Sequence, residues 1–272
     1  MVIGIDIGGT TTKVVALEGE RILHFLTVKA SDPITSASGA LGKLLDASRL
    51  SPGDLGKVVV TGIGSAAIKS TLIGLPVEKV DEFIAIGRGG LFLSRLSKAI
   101  VVSMGTGTAI VVADGNDIRH IGGTGVGGGT LLGLARSILN ISDFGTIIDL
   151  AHAGDLRNID LSIGDITAGG LGDLPATATA SNFGRVGDKA ERADYALGIL
   201  NLIFQSIGVM AVFAARNDGE KDVVLIGKLA NIPQARTVFD GLSRLYRMKF
   251  FIPQNAEYAT AVGAAISVSG LS

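Results

Sequence analysis

Residues 2–17 read Val-Ile-Gly-Ile-Asp-Ile-Gly-Gly-Thr-Thr-Thr-Lys-Val-Val-Ala-Leu. The β-branched run Val2–Ile7 and the run Lys13–Leu17 are typical of buried strands, and the glycines and threonines between them predict a tight turn. Backbone amides in such a turn can bind a phosphate, because no bulky side chain shields them. Asp6 enters the turn, where a carboxylate can hold a hydrated cation, and Lys13 leaves it within reach of a phosphate oxygen.

A similar hairpin occurs later in the chain. The strand Ala99–Met104, the turn Gly105–Thr108 and the strand Ala109–Val112 repeat the same order. A third glycine-rich run, Gly122–Thr130, leads into an apolar helix, Leu131–Leu139. One such turn alone is more often a plain hairpin turn. Two similar hairpins together with a third glycine loop favour phosphate binding.

Two common nucleotide-binding motifs fit these turns less well. Gly4 and Gly9 have the spacing of a P-loop, but Thr10 follows where that motif needs lysine. A Rossmann fingerprint needs a helix after the first turn, and a strand is predicted there instead.

The quoted residues resemble a known superfamily. The pattern Asp6-x-Gly8-Gly9-Thr10-x-x-Lys13 resembles the first phosphate motif of the sugar kinases, actin and the heat-shock chaperone ATPases, and residues 105–108 resemble the second. Within that superfamily, the chain resembles the type II pantothenate kinases over nearly its whole length. The resemblance implies an α/β protein with the two-lobed ribonuclease H-like/actin-like ATPase fold and a nucleotide cleft between the lobes. We expect an N-terminal lobe over residues 1–97 and a C-terminal lobe over residues 98–272.

Composition narrows the function further. The 272 residues carry a net charge of −1, so no basic surface suggests a nucleic acid partner. The chain contains no cysteine, which excludes disulfides, thiolate nucleophiles and iron–sulfur ligation by this chain, and is compatible with the cytoplasm. It also separates the chain from the 2-hydroxyacyl-CoA dehydratase activators, which share the first motif but carry cluster cysteines. We expect no signal peptide and no zinc site.

The stretch Tyr195–Ala215 contains no charged residue and is long enough to span a bilayer. Asn201 and Gln205 interrupt it, and no second span accompanies it, so a buried or interface helix is the preferred interpretation. The resemblance implies that this helix region builds a homodimer, in which the partner subunit closes part of the acceptor pocket.

Asp81 and Glu82 open a predicted helix that runs to about Leu96. From spacing alone, both acids are ordinary residues for a helix N-terminus. The resemblance implies more, because the type II pantothenate kinases carry their catalytic base at the position of Glu82. A carboxylate there would accept the proton of a primary alcohol as it attacks the γ-phosphate.

The resemblance also implies the nucleotide site, with ATP and Mg²⁺ as cofactors and Asp6 as the metal residue. Phe144 falls near the adenine in the family, although an ordinary core aromatic is equally compatible with the sequence. Gly227 and Lys228 follow a predicted strand whose end lies against the adenosine in related kinases. The remaining nucleotide-binding residues are Gly8, Gly9, Thr10, Thr11, Thr12, Lys13, Thr106, Gly107, Gly128, Gly129, Thr130, Leu131 and Leu132.

The predicted acceptor site departs from the family. An arginine usually precedes the third glycine loop and pairs with the substrate carboxylate, but this chain has His120 there, with Arg119 one residue earlier. The family often has a serine after the second turn, where it contacts the substrate, and this chain has Ala109 at that position. Thr106 completes the predicted site. The resemblance implies pantothenate as the acceptor, and the departures at His120 and Ala109 leave pantetheine or a sugar as alternatives. A nucleotide-binding regulator without turnover is a further alternative.

Alternating strands and helices are predicted elsewhere along the chain. They include a helix over Ile34–Ala47, a strand over Lys57–Gly62, a helix over Ser65–Leu72 and a strand over Pro76–Val80.

Overall fold

Two mixed sheets, each built around an antiparallel hairpin, form the frame of the protein. A computed structural model describes residues 1–167 and 169–269. The first part of the chain forms β1 (Val2–Ile7), β2 (Thr11–Glu18), β3 (Arg21–Lys29), α1 (Pro33–Ser48), β4 (Lys57–Thr61), β5 (Thr71–Leu72), β6 (Leu75–Lys79) and α2 (Glu82–Ser94). The remainder forms β7 (Lys98–Met104), β8 (Thr108–Asp114), β9 (Asp117–Thr124), α3 (Gly128–Leu139), α4 (Phe144–Ala151), β10 (Leu161–Ser162), α5 (Ile163–Ile166), β11 (Thr179–Ser181), α6 (Arg192–Asn217), β12 (Asp222–Ile226), α7 (Pro233–Tyr246), β13 (Lys249–Phe251) and α8 (Ala259–Val268).

The two sheets share one topology. The first has the strand order β3-β2-β1-β4-β6-β5 and the second β13-β12-β7-β8-β9. In each sheet, an antiparallel meander of three strands continues into two parallel strands. These are β4 and β6, next to β1, in the first sheet, and β12 and β13, next to β7, in the second. The carboxyl ends of β1 and β7 therefore carry equivalent turns, as the two similar hairpins in the sequence predicted.

Helices α2 and α8 lie between the two sheets. The first sheet packs against α1 on one face and against α8 on the other. The second sheet packs against α2 on one face and against α3, α4, α6 and α7 on the other. Helix α8 thus covers the sheet that is distant from it in sequence, whereas α2 covers the sheet whose strand β7 follows it directly. The lobe boundary at residues 97 and 98 stays a prediction.

The predicted helix over Ser65–Leu72 is wrong. The chain makes a short 3₁₀ helix over Ile63–Ala67 and then the strand β5, which pairs with β6. Ile73 and Gly74 connect these strands, and both have positive φ, 51° and 77°, as a tight hairpin turn requires. Pairing with β6 makes residues 71 and 72 a strand, and the local sequence propensity does not reveal this pairing.

Helix α6 is long and apolar enough by length and composition to cross a membrane, and the bent pair α3 and α4 passes the same test together. In its most apolar window, 61% of α6 is buried inside the protein, as in the core helix of many soluble proteins. Its polar residues are bonded: Asn201 donates to Asp160 (2.6 Å) and Gln205 donates to Thr179 (2.9 Å). These bonds tie the segment around β10 and β11 to α6.

Candidate active site

The first predicted phosphate turn places a carboxylate and an ammonium side by side. Asp6 on β1 pairs with Lys13 on β2, so both side chains lie on one face of the sheet. Lys13 Nζ lies 3.6 Å from Asp6 Oδ2, and each side chain is only 10% exposed. Burial raises the pKa of Asp6, and the Lys13 ammonium partly opposes that effect. Gly8 N–H donates to Thr11 O (3.1 Å) and closes the turn.

Not every hydroxyl of this turn faces the cleft. Thr12 pairs with Ile7, which belongs to the core between the first sheet and α1. Thr12 is fully buried, and its hydroxyl has no hydrogen-bond partner among the described residues. Strand alternation turns its side chain away from Lys13, and its predicted nucleotide contact stays a prediction.

The second predicted phosphate turn meets the first. Thr10 Oγ1 and Thr106 Oγ1 lie 3.5 Å apart, and a Cβ on Gly9 would lie 3.4 Å from Thr106 Oγ1. Gly105 N–H donates to Gly107 O (2.9 Å), which holds the second turn tightly closed. Two turns from separate parts of the chain therefore face one another between the sheets.

The third glycine loop supports the second turn. Gly128 N–H donates to Gly105 O and Gly129 N–H donates to Thr106 O, both at 2.8 Å. These two amides at the start of α3 are therefore engaged within the protein. Their glycines let the loop approach this closely, since a Cβ on Gly129 would lie 3.1 Å from Thr106 O. Thr130 Oγ1 donates to Gly125 O (3.0 Å) and closes the loop itself.

Two predicted contacts on α3 belong to the core side of that helix. Leu131 is fully buried among residues of the second sheet and α6, and its N–H donates to Gly127 O (3.0 Å). Its side chain thus belongs to the face of α3 that covers the sheet, and its predicted nucleotide contact stays a prediction. Leu132 is half-buried and packs against the same core.

The predicted adenosine residues come together. The Lys228 ammonium lies 4.1 Å from the centroid of the Phe144 ring, a distance typical of a cation–π contact. Gly227 has φ of 90°, and a Cβ there would lie 2.5 Å from Met104 O, so only glycine fits at this end of β12. Phe144 is half-buried, which leaves part of its ring to contact a ligand.

Glu82 lies at the N-terminus of α2, close to the first turn. Asp81 is the helix cap, because its carboxylate accepts from Phe83 N–H (2.9 Å) and Ile84 N–H (3.2 Å). The Glu82 carboxylate is therefore not used in capping the helix. Burial, followed by repulsion from Asp6 and Asp81, raises the pKa of Glu82, and Lys13 opposes the shift. The site thus contains a half-buried carboxylate with raised proton affinity beside a carboxylate–ammonium pair.

Only one of the two candidate anchors faces Glu82. The His120 ring stacks on Phe83, the residue after Glu82, with centroids 3.9 Å apart and planes at 14°. Ala109 packs in the same cluster as Phe83. Arg119 projects from the opposite face of β9, where its Nη2 lies 3.0 Å from Asp218 Oδ1 at the end of α6. Arg119 thus lies on the other face of β9 from His120, and its predicted contact with the acceptor stays a prediction, whereas His120 and Ala109 lie on the Glu82 side.

Sequence reasoning missed two residues of this region, Phe83 and Thr61. Phe83 orients His120 through the stack. Thr61 is the strand neighbour of Asp6 on β4. Its signal in the sequence was a single hydroxyl residue after the run Val58–Val60.

Solved structures share this architecture. The activator of the 2-hydroxyisocaproyl-CoA dehydratase from Clostridium difficile with bound ADPNP has 20% sequence identity and a TM-score of 0.72, with 98% of this chain and 93% of that chain covered. A ROK family glucokinase from Streptomyces griseus in complex with glucose and AMPPNP has 14% identity and a TM-score of 0.62, with 98% of both chains covered. The protein therefore has the two-lobed actin-like ATPase fold.

Sequence comparison identifies the family within that fold. The Fumble family model matches residues 98–266. The type II pantothenate kinase of Staphylococcus aureus strain USA300 is 28% identical over 276 residues, covering 97% of this chain and 98% of that relative. The chain belongs to the Fumble family.

Proposed function

We propose that this protein transfers the γ-phosphoryl group of ATP to the primary hydroxyl of pantothenate, the first step of coenzyme A biosynthesis. Its family and its likeness to a type II pantothenate kinase support this function. One structural observation carries the chemistry: Glu82 is near enough to Asp6 and Lys13 for their charges to shift its pKa, and the Asp6–Lys13 pair belongs to the first of two phosphate turns that meet.

In the proposed reaction, the hydroxyl oxygen of the acceptor forms a bond to the γ-phosphorus, and Glu82 accepts the proton of that hydroxyl. The bond from that phosphorus to the β–γ bridging oxygen breaks, and ADP leaves. A raised pKa suits this role, because a general base works best when its pKa approaches the operating pH. Lys13 and the hydroxyl of Thr10 would hold the phosphate oxygens, and Phe144 with Lys228 would contact the adenosine.

Asp6 is the proposed metal residue. Within residues 1–167 and 169–269, no group of three or more His, Cys, Asp or Glu residues could hold a metal ion. A single carboxylate fits Mg²⁺, which commonly binds one or two carboxylates and takes its remaining ligands from water and substrate phosphates. Mg²⁺, when bound, neutralises the charge that develops on the phosphoryl oxygens.

We propose that the protein works as a cytoplasmic homodimer on a small-molecule substrate, without nucleic acid or membrane partners. Helix α6 supports the dimer, because Phe213 on its outer face is 62% exposed. Leu202, Val209 and Met210 are partly exposed on the same helix. An apolar stripe of this kind suits a two-fold contact with a second copy.

A panel of acceptors tests the proposed function. Purified protein with ATP and Mg²⁺ should release ADP when pantothenate is added, and mass spectrometry should detect 4′-phosphopantothenate. Pantetheine is the second candidate, because His120 stands where an arginine would pair with the pantothenate carboxylate. Glucose is the third acceptor. If pantetheine or glucose is turned over faster than pantothenate, that compound becomes the proposed substrate. Nucleotide binding without acceptor-dependent ADP release would contradict kinase function.

A further inference from the structure

Thr61 ends β4 directly beside Asp6. The two residues are partners in the parallel pairing of β1 and β4, so their side chains project from the same face of the sheet. Thr61 is fully buried. Its hydroxyl has no hydrogen-bond partner among the described residues.

Folding alone gives no reason for a hydroxyl at this position. The preceding residues Val58, Val59 and Val60 are buried in the same strand, and valine has nearly the shape of threonine without a polar atom. A buried hydroxyl without a partner is unfavourable compared with such an apolar residue. The hydroxyl therefore indicates a function at this end of the strand.

Among the described residues, no group donates a hydrogen bond within 3.5 Å to the Asp6 carboxylate on the side that faces Thr61. Its Oδ2 is near Lys13 Nζ, 3.6 Å away, and no hydrogen bond to its carboxylate within 3.5 Å occurs in the part of the chain that the structure describes. Its Oδ1 lies against Gly62, the residue after Thr61, where a Cβ would be only 2.6 Å away. This carboxylate oxygen is thus directed at the end of β4, next to the unpaired hydroxyl.

We propose that Thr61 is a positioning residue for Asp6. A phosphate bound in the first turn attracts Lys13, and the Thr61 hydroxyl then donates a hydrogen bond to the Asp6 carboxylate after rotation about χ1. That bond keeps the carboxylate directed at the hydrated metal of the nucleotide complex. The inference rests on the proposed function, because it takes Asp6 to face the metal–nucleotide complex.

Binding of Mn²⁺ together with ADP tests the role of Thr61 without any acceptor. Mn²⁺ replaces Mg²⁺ as a probe that electron paramagnetic resonance detects directly. We expect Thr61→Val to weaken Mn²⁺ binding in the presence of ADP by roughly ten- to a hundredfold, the usual effect of losing a hydrogen bond to a charged group. We expect Thr61→Ser, which keeps the hydroxyl, to bind within a few-fold of wild type. The melting temperature of Thr61→Val should stay the same or rise, because the variant removes an unpaired buried hydroxyl.

Thr71→Val is the matched control. Thr71 is an exposed residue of edge strand β5 in the same sheet, three strands from β1, so its loss should leave Mn²⁺ binding unchanged. Wild-type Mn²⁺ affinity in Thr61→Val would overturn the proposal. An equal loss of Mn²⁺ affinity in Thr61→Val and Thr61→Ser would also overturn it, because the effect would then come from side-chain shape. A loss of Mn²⁺ affinity in Thr61→Val together with a lower melting temperature would overturn it as well, because the effect would then come from folding. Because the assay contains no acceptor, a protein that fails to phosphorylate pantothenate can still pass it.

Discussion

Glu82 is the residue whose surroundings most constrain the chemistry. We expect Glu82→Gln to lower kcat about a hundred- to ten-thousandfold, because glutamine has nearly the same shape and cannot accept a proton. ATP affinity should stay nearly unchanged, since the nucleotide turns are intact. Steady-state kinetics and isothermal titration with a non-hydrolysable ATP analogue measure both. Turnover within a few-fold of wild type would remove Glu82 from the mechanism.

The raised pKa of Glu82 predicts how turnover depends on pH. Below that pKa the carboxyl is protonated and cannot act as a base, so kcat should fall as pH decreases, at a pH above the range of an ordinary glutamate. Asp81→Asn keeps a good helix cap but removes one of the charges that raise the pKa. The acid limb of its kcat profile should therefore move to lower pH. An unmoved limb would show that another group controls it.

His120 is where acceptor recognition departs from the family pattern. We expect His120→Arg to raise kcat/KM for pantothenate more than for pantetheine, because an arginine fork pairs with the carboxylate that only pantothenate carries. Arginine also stacks well on an aromatic ring, so the contact with Phe83 is preserved. Arg119→Gln is the comparison, and it should leave the ratio of the two acceptors unchanged because Arg119 pairs with Asp218 on the other face. Equal effects of His120→Arg on both acceptors would contradict this role.

At the scale of elements, the crossing of α2 and α8 depends on glycine. A Cβ on Gly263 would lie 1.8 Å from Ala85 O, and one on Gly89 would lie 1.9 Å from Ala259 O. We expect Gly263→Ala to lower the free energy of unfolding by about 1–3 kcal/mol. The reason is that α2 and α8 cannot move apart without disturbing the sheets on which they pack. Urea unfolding measures the change.

Gly42→Ala is the control for that substitution. Gly42 lies in α1, and a Cβ there would meet no atom within 4 Å, so alanine should stabilise the protein by about 0.5–1 kcal/mol. If both variants are stabilised, the helix crossing tolerates more separation than the contacts indicate.

At the scale of the whole molecule, the proposed homodimer depends on the half-exposed apolar stripe of α6. We expect a homodimer in sedimentation velocity at micromolar concentration, and we expect Phe213→Glu to shift it toward monomer by placing a charge in the apolar contact. A wild-type monomer at that concentration would mean that α6 is covered only within its own chain. The buried part of α6 needs no partner, since it packs on the second sheet.

The sequence by itself predicted the repeated hairpins and the α/β class. Both follow from local patterns, namely β-branched runs, glycine turns and the alternation of strands with helices. The two-lobed fold was implied by the resemblance to a known superfamily. Strand alternation also makes Arg119 and His120, as neighbours on one strand, face opposite ways. It did not reveal which of them faces Glu82, because that depends on α2 packing on the second sheet.

Only the tertiary structure decided which groups share the cleft. The stack of His120 on Phe83, the engagement of the Gly128 and Gly129 amides and the neighbourhood of Thr61 and Asp6 all join segments that are distant in the chain. The strand β5 was missed for a related reason, since its pairing with β6 overrides its local propensity. A side chain's type and local direction are encoded nearby in the sequence, whereas its partners are set by how sheets and helices pack across the molecule.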